Sequence, residues 1–167
     1  MKKIILLLLL FFLSSVIFAK NFIKKIYVDK NKNLHVIEYN DRDAQLSKRG
    51  KAIRIALSQD RKTAAWVTYQ LNKADNEDES SASRLTVYRN REQHDIDCLP
   101  FLREYWFWEE GKKIAVYCGG LHFAGTYFLY DSTTGLLLES FYQTDIPEEK
   151  RPAWSLPGSS YHPEDIH

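Results

Sequence analysis

The chain has 167 residues, a formal net charge of +1 at pH 7, 44% hydrophobic and 14% aromatic residues, and two cysteines. That length fits one domain, and a near-neutral balance with no basic stripe or large acidic patch excludes nucleic acid and other polyionic partners. Ten Tyr, nine Phe and four Trp, with few Leu or Met patterns of helical period beyond the start of the chain, favour a β-rich fold.

Met1-Lys2-Lys3, an apolar run from Ile4 to Leu13, and Ser14-Ser15-Val16-Ile17-Phe18-Ala19 before an abrupt change to Lys20-Asn21 predict a secretory signal peptide over 1–19, cleaved after Ala19. The apolar stretch stops short of the roughly 20 residues that a spanning helix needs, the alternative being a retained anchor. The first cysteine is Cys98, so no lipidated start is expected. With Lys2 and Lys3 gone, 23 Lys and Arg fall to 21 against 22 Asp and Glu. The expected location is periplasmic or secreted, with no stable membrane insertion after cleavage. In such an oxidising compartment the isolated pair Cys98 and Cys118 is expected to form a disulfide.

Strand signals then recur at short intervals over 20–144, read as a single β domain. Phe22 to Val28, a polar turn through Asp29-Lys30-Asn31-Lys32-Asn33, and Leu34 to Tyr39 predict a hairpin. Residues 40–50 are charged and irregular, and strands follow at 52–58, 63–71 and 84–89. The stretch Asn72 to Ser83 is acidic and polar and reads as a solvated loop; it lacks the alternation and glycine of an EF-hand, so no metal site is expected there. Tyr105-Trp106-Phe107-Trp108, a turn through Glu109-Glu110-Gly111-Lys112, and Lys113 to Cys118 predict a second hairpin. A loop from Gly119 to Gly125 leads into strands at 126–130 and 136–143, separated by the Asp131 to Gly135 turn. Four of the five prolines lie beyond Asp145, so 145–167 is expected to be an extended tail that packs Trp154 and Leu156 onto the domain.

Ser58 to Val67 and Trp108 to Tyr117 share an order of acidic residue, turn, Lys and strand, offset by 50 residues. Leu85 to Asn90 and Phe128 to Ser132 each close a later strand in Tyr and a polar turn. Ser58-Gln59-Asp60-Arg61-Lys62-Thr63-Ala64-Ala65-Trp66 resembles the Ser-x-Asp-Gly-Lys-x-x-Ala-x segment of β-propeller blades, in particular those of the periplasmic Tol-system propeller, with Arg61 where Gly is usual. Asp131-Ser132-Thr133-Thr134-Gly135 resembles the Asp-x-x-Thr-Gly turn before a blade's last strand. The resemblance covers Ala52 to Gln143 and implies four-stranded blade-like units. A closed propeller needs about four of them, more than this chain holds. The expectation is therefore all-β: two antiparallel meander sheets packed as a sandwich, with an irregular Pro-rich C-terminal tail.

Chemistry-bearing patterns are sparse. Three glycines surround His122 and Phe123 in the Gly119 to Gly125 loop, and Gly119 and Gly120 would let a ligand or chain approach closely. Trp106 and Trp108 face opposite to Tyr105 and Phe107; one pair faces the core, and the other lies under a second layer or forms an exposed binding platform. His spacing supports no metal site. No nucleophile elbow is present, and no cofactor is expected. The reading is a small non-enzymatic exported binding protein of the cell envelope, of inhibitor or immunity type, whose partner is another envelope protein. Alternatives are a glycan hydrolase using Asp95, Asp97, Glu109 or Glu110, and a subunit that completes a ring by association.

Overall fold

The computed structural model describes residues 22–48, 51–69, 83–120 and 122–156. The expected signal segment, most of the acidic loop, Leu121 and the tail beyond Leu156 lie outside them. Among the described residues eleven strands form three antiparallel sheets. β1 (Ile23–Val28), β2 (Leu34–Glu38) and β3 (Asp43–Gln45) make an N-terminal sheet. β4 (Ile53–Leu57), β5 (Thr63–Tyr69), β6 (Ser83–Arg89) and β7 (Glu92–Cys98) make a middle sheet. β8 (Leu102–Trp108), β9 (Lys113–Cys118), β10 (Thr126–Asp131) and β11 (Leu137–Tyr142) make a C-terminal sheet. In the two four-stranded sheets each strand pairs with its neighbours in sequence, the meander of a blade-like unit.

The two four-stranded sheets pack face to face, as expected, but they are not the whole stack. The middle sheet is buried on both sides, and β5 shows why its sequence lacks a polar face. Ala65 and Val67 point into a core shared with Tyr105, Phe107, Ile114 and Val116 of the C-terminal sheet. Ala64 and Trp66 point the other way, into a second core with Ile23, Ile26, Leu34 and Val36 of the N-terminal sheet. Strand side chains alternate between faces, so a strand sandwiched between two layers must be apolar throughout. The N-terminal hairpin, extended by β3, thus becomes a third layer, although residues 40–50 read as irregular.

Strand β7 also went unread at the level of sequence. It is an edge strand in which only Ile96 and Cys98 are buried; Asp95 and Asp97 point outward and are held by Arg84 of β6, Nε donating to Asp97 Oδ1 at 2.7 Å and Nη1 to Asp95 Oδ2 at 3.2 Å.

Buried polar groups fix how the sheets sit. In the β4–β5 turn, Ser58 Oγ donates to Asp60 Oδ1 (2.6 Å) and accepts from the Thr63 amide (2.9 Å). Arg61, the residue standing where a blade has glycine, holds φ +54°, and Gly111, its counterpart 50 residues on, holds φ +100°. A β-carbon on Gly111 would lie 2.3 Å from Ser58 Cβ, so the two equivalent turns touch only because that atom is missing. Arg89 seals the contact: its Nη1 donates to the Gly111 carbonyl at 3.1 Å, to Asp60 Oδ2 at 3.3 Å and to Thr63 Oγ1. Cys98 and Cys118 are disulfide-bonded, linking the ends of β7 and β9 across the same seam. Closing their 20-residue separation contributes about 3 kcal/mol on the chain-entropy account.

On the other side, Arg61 fastens the N-terminal sheet by donating from Nε to the Ile23 carbonyl (3.1 Å), while the Arg61 carbonyl accepts from the Ile23 amide (2.7 Å). Glu38, 2% exposed, accepts from Tyr88 Oη of the middle sheet (3.1 Å) and from Arg91 Nε (3.0 Å). Burial alone would raise the Glu38 carboxyl, but the hydrogen bonds from Arg91 and Tyr88 outweigh it and hold the group below its ordinary range. Burial and the adjacent Glu38 push Tyr88 up to about 12.

A depressed native pKa means that the Glu38 contribution is complete above the ordinary glutamate value near 4.3 and is lost as pH falls through the lower native value. Urea unfolding of the wild type should therefore weaken below about pH 4, with a flatter acid limb for Glu38→Gln. The substitution should cost roughly 2 to 3 kcal/mol at neutral pH; equal acid limbs would contradict this role.

Candidate functional site

The outer face of the C-terminal sheet carries most of the remaining aromatic residues. Tyr117 stacks on Tyr127 with ring centres 4.4 Å apart, Tyr127 stacks on Phe141 at 5.1 Å, and Trp154 from the tail packs edge-on against Phe141 at 5.6 Å. Two short helical turns, Glu148–Lys150 and Ala153–Ser155, bring the tail back over this face. Trp106 Nε1 donates to the Trp154 carbonyl and Trp154 Nε1 to Glu139 Oε2, both at 2.8 Å. Trp106 is only 3% exposed and Trp108 is half-buried. A platform for a partner at Trp106 is thus corrected: the sheet's outer face is apolar and the tail buries it. Tyr105 and Phe107 fill the opposite core. Leu156, also expected to pack, is 40% exposed.

At the end of this face, where β9 leaves the sheet, lies an open cavity of about 640 Å³ lined by Arg103, His122, Phe123, Gln143 and Arg151, with Ile146 and Pro147 on the tail side. The Gly119 to Gly125 loop forms one wall, and His122 and Phe123 point outward from it, Phe123 being 76% exposed. Gly119 is buried and Gly120 half-buried. A β-carbon on Gly119 would sit 2.7 Å from Gly125 Cα, and one on Gly125 would sit 2.3 Å from the Cys118 carbonyl oxygen and 2.6 Å from Tyr117 Cε2. Gly119 and Gly125 let the loop close on itself and on β9.

A polar network holds the wall in place. Arg103 donates from Nη1 to Tyr117 Oη (2.5 Å) and from Nη2 to the Phe123 carbonyl, with its guanidinium 4.9 Å from the Tyr117 ring centre. Gln143 Oε1 accepts from Tyr117 Oη and from the Gly125 amide (3.2 Å), while the Gln143 backbone N–H donates to the Gly125 carbonyl (2.8 Å). Arg151 donates from Nε to the Ile146 carbonyl (3.1 Å) and from Nη2 to the Gln143 carbonyl (3.0 Å). Burial raises the Tyr127 phenol beneath this network, helped by Tyr117, Glu104 and Glu148 and opposed by Arg151.

Sequence reasoning found His122 and Phe123 but not Arg103, Gln143 or Arg151. Simple alternation would place Arg103 on the core side with Tyr105 and Phe107. An irregularity in the β8–β9 register between Leu102 and Glu104 lets Leu102 and Tyr105, three apart, both face the core, and Arg103 reaches Tyr117 instead. Arg151 comes from a segment with no periodicity to read.

The carboxylates considered for glycan hydrolysis lie on two different sheets. Asp95 and Asp97 lie on β7 of the middle sheet with Arg84, and Glu109 pairs with Lys113 at 2.6 Å in the C-terminal sheet. Among the described residues no cluster of three His, Cys, Asp or Glu is arranged to hold a metal ion. No helix among them is long and apolar enough to cross a membrane.

No known protein family matches the chain, and no curated protein does. Among solved structures it is similar to the β-propeller domain of the Trilobed protease from Pyrococcus furiosus, at 15% sequence identity and a TM-score of 0.46. The similarity covers 71% of this chain and 37% of that one, so the chain spans well under half its length.

Replacing Trp154 by Ala should cost about 3 kcal/mol or more, red-shift the Trp106 emission, and open residues 145–156 to protease. An unchanged unfolding midpoint would show that the tail does not cover this face.

Proposed function

We propose that the protein is an exported binding protein of the cell envelope that acts by contacting another protein, in the manner of an inhibitor or immunity-type protein. The observation that carries the proposal is Phe123. A large apolar side chain stands 76% exposed on a loop whose backbone is pinned by Arg103, Gln143 and the Gly119–Gly125 contact. Solvent gains nothing from such an arrangement, whereas a partner does: a rigid aromatic anchor loses little conformational freedom on binding, and aromatic and Arg side chains dominate binding hot spots. The cavity beside it supplies a concave counterpart.

Support for export comes from the N-terminal sequence pattern and from the Cys98–Cys118 disulfide, a bond that persists in oxidising compartments. The likeness of Ser58 to Trp66 to blades of the periplasmic Tol-system propeller points to the same compartment. The contact surface assigned here is His122, Phe123 and the cavity rim. Trp106 and Trp108 serve to seat the tail.

An affinity pull-down from envelope extract tests this. Wild-type bait should retain a stoichiometric protein, and Phe123→Ser together with His122→Ala should lose it while keeping the wild-type unfolding midpoint. Retention of the same protein by that folded variant would move the contact elsewhere.

A further inference from the structure

The cavity beside Phe123 is one-sided in its chemistry. Of its polar lining groups, Arg103, Arg151, His122 and Gln143 bring donors or cations and Thr144 a hydroxyl, and among the described residues no Asp or Glu lines it. Several acceptors along it bond within the wall. The Phe123 carbonyl accepts from Arg103, the Ile146 and Gln143 carbonyls accept from Arg151, and Gln143 Oε1 accepts from Tyr117 and Gly125. Each guanidinium carries five N–H donors and uses two of its nitrogens on these neutral acceptors, which aim the group without neutralising it. Three other arginines are neutralised by acids, Arg84 by Asp95 and Asp97, Arg89 by Asp60 and Arg91 by Glu38, whereas Arg54 and Arg61, like the two at the cavity, bond neutral carbonyls. Among the described residues neither Arg103 nor Arg151 makes an ion pair. The nearby acids Glu104 and Glu148 act on the Tyr127 ring and do not line the cavity.

From this we infer that the cavity receives a carboxylate borne by a polypeptide, an acidic side chain of the partner entering between Arg103 and Arg151 while its neighbours lie on Phe123, Ile146 and Pro147. The inference rests on the proposed contact surface and deepens it. Preorganised guanidinium groups favour carboxylates through charge-assisted and bidentate hydrogen bonds. The cavity is wide open to solvent, so a segment of a larger chain can reach it, and its apolar rim suits the rest of a peptide. Surface cations of this kind also speed encounter with an acidic partner, an effect that salt suppresses.

The test uses protein expressed from its full coding sequence, ¹⁵N-labelled and titrated in NMR with acetyl-tetraglutamate amide, acetyl-tetraglutamine amide and inorganic phosphate. Tetraglutamate should bind with Kd below about 1 mM and shift resonances of residues 122–124 and 143–151. Tetraglutamine, and tetraglutamate with Arg151→Gln, should each bind at least about tenfold more weakly. Arg151→Lys should restore part of the loss. Arg103→Gln should weaken binding too, and because Arg103 also pins the loop, Arg151→Gln with an unchanged unfolding midpoint is the deciding variant.

Equal binding of tetraglutamine overturns the inference, as does phosphate binding without tetraglutamate binding, which would make the cavity a site for a small oxyanion. Absence of binding by every probe also overturns it. Retention of a protein partner that depends on Phe123 but is indifferent to Arg151→Gln would sink the carboxylate while leaving the contact surface in place.

Discussion

A four-stranded sheet buried on both faces is the constraint from which the rest of the molecule follows. The middle sheet cannot be solvated on either side, because β5 carries Ala64 and Trp66 on one face and Ala65 and Val67 on the other. It needs two covering layers, and β1–β3 and β8–β11 supply them. Covering it transfers the difficulty outward. The C-terminal sheet must present an apolar inner face to Val67 and Leu85, and its outer face, with Trp106, Tyr127 and Phe141, is itself too apolar for water. The tail resolves this by folding back through Trp154, and in doing so it raises the wall of Ile146, Pro147 and Arg151 that turns an open sheet end into a cavity. The candidate site is thus a by-product of how the last apolar face is closed.

Apolar burial explains that the layers meet, but not at what angle or in what register they do so. The seams are set by polar groups at the strand ends. Arg89, 8% exposed, reaches from the middle sheet to the Gly111 carbonyl of the next and to Asp60 of its own turn, and it is the bare α-carbon of Gly111 that lets the two turns meet. Arg61 and Glu38 do the equivalent work toward the N-terminal sheet. Removing one member of such a buried set leaves its partners desolvated and unpaired, which costs more than the pair contributes when intact. The architecture is therefore less tolerant at Arg89 and Glu38 than at most of its aliphatic positions.

Much of this was legible in the sequence because period-two alternation and turn chemistry act locally. The hairpins around Asp29 to Asn33 and Glu109 to Lys112 stand where those residues demanded them, and the 50-residue offset between Arg61 and Gly111 is mirrored in their shared left-handed backbone. The third layer was obscured because β3 has three residues and only Ala44 turned toward the core. Strand β7 was obscured by its carboxylates, whose place on an edge depends on Arg84 across the ladder. At the site, His122 and Phe123 stood out among glycines, but Arg103 is aimed by a local irregularity in register and Arg151 by the return of the tail. Both are tertiary facts with no periodic signature, and of the alternatives left open for Trp106 and Trp108 it is the second layer, that same tail, that covers them.

The recognition we propose happens at the pinned loop and cavity rather than at the β11 edge, where Leu136, Leu137 and Leu138 are also at least half exposed. Site-specific photo-crosslinking in intact cells decides between them, with a benzophenone amino acid placed at position 123 in one strain and at position 137 in another. A discrete crosslinked protein is expected from position 123 and none from 137. A discrete product from 137 with nothing from 123 would contradict it.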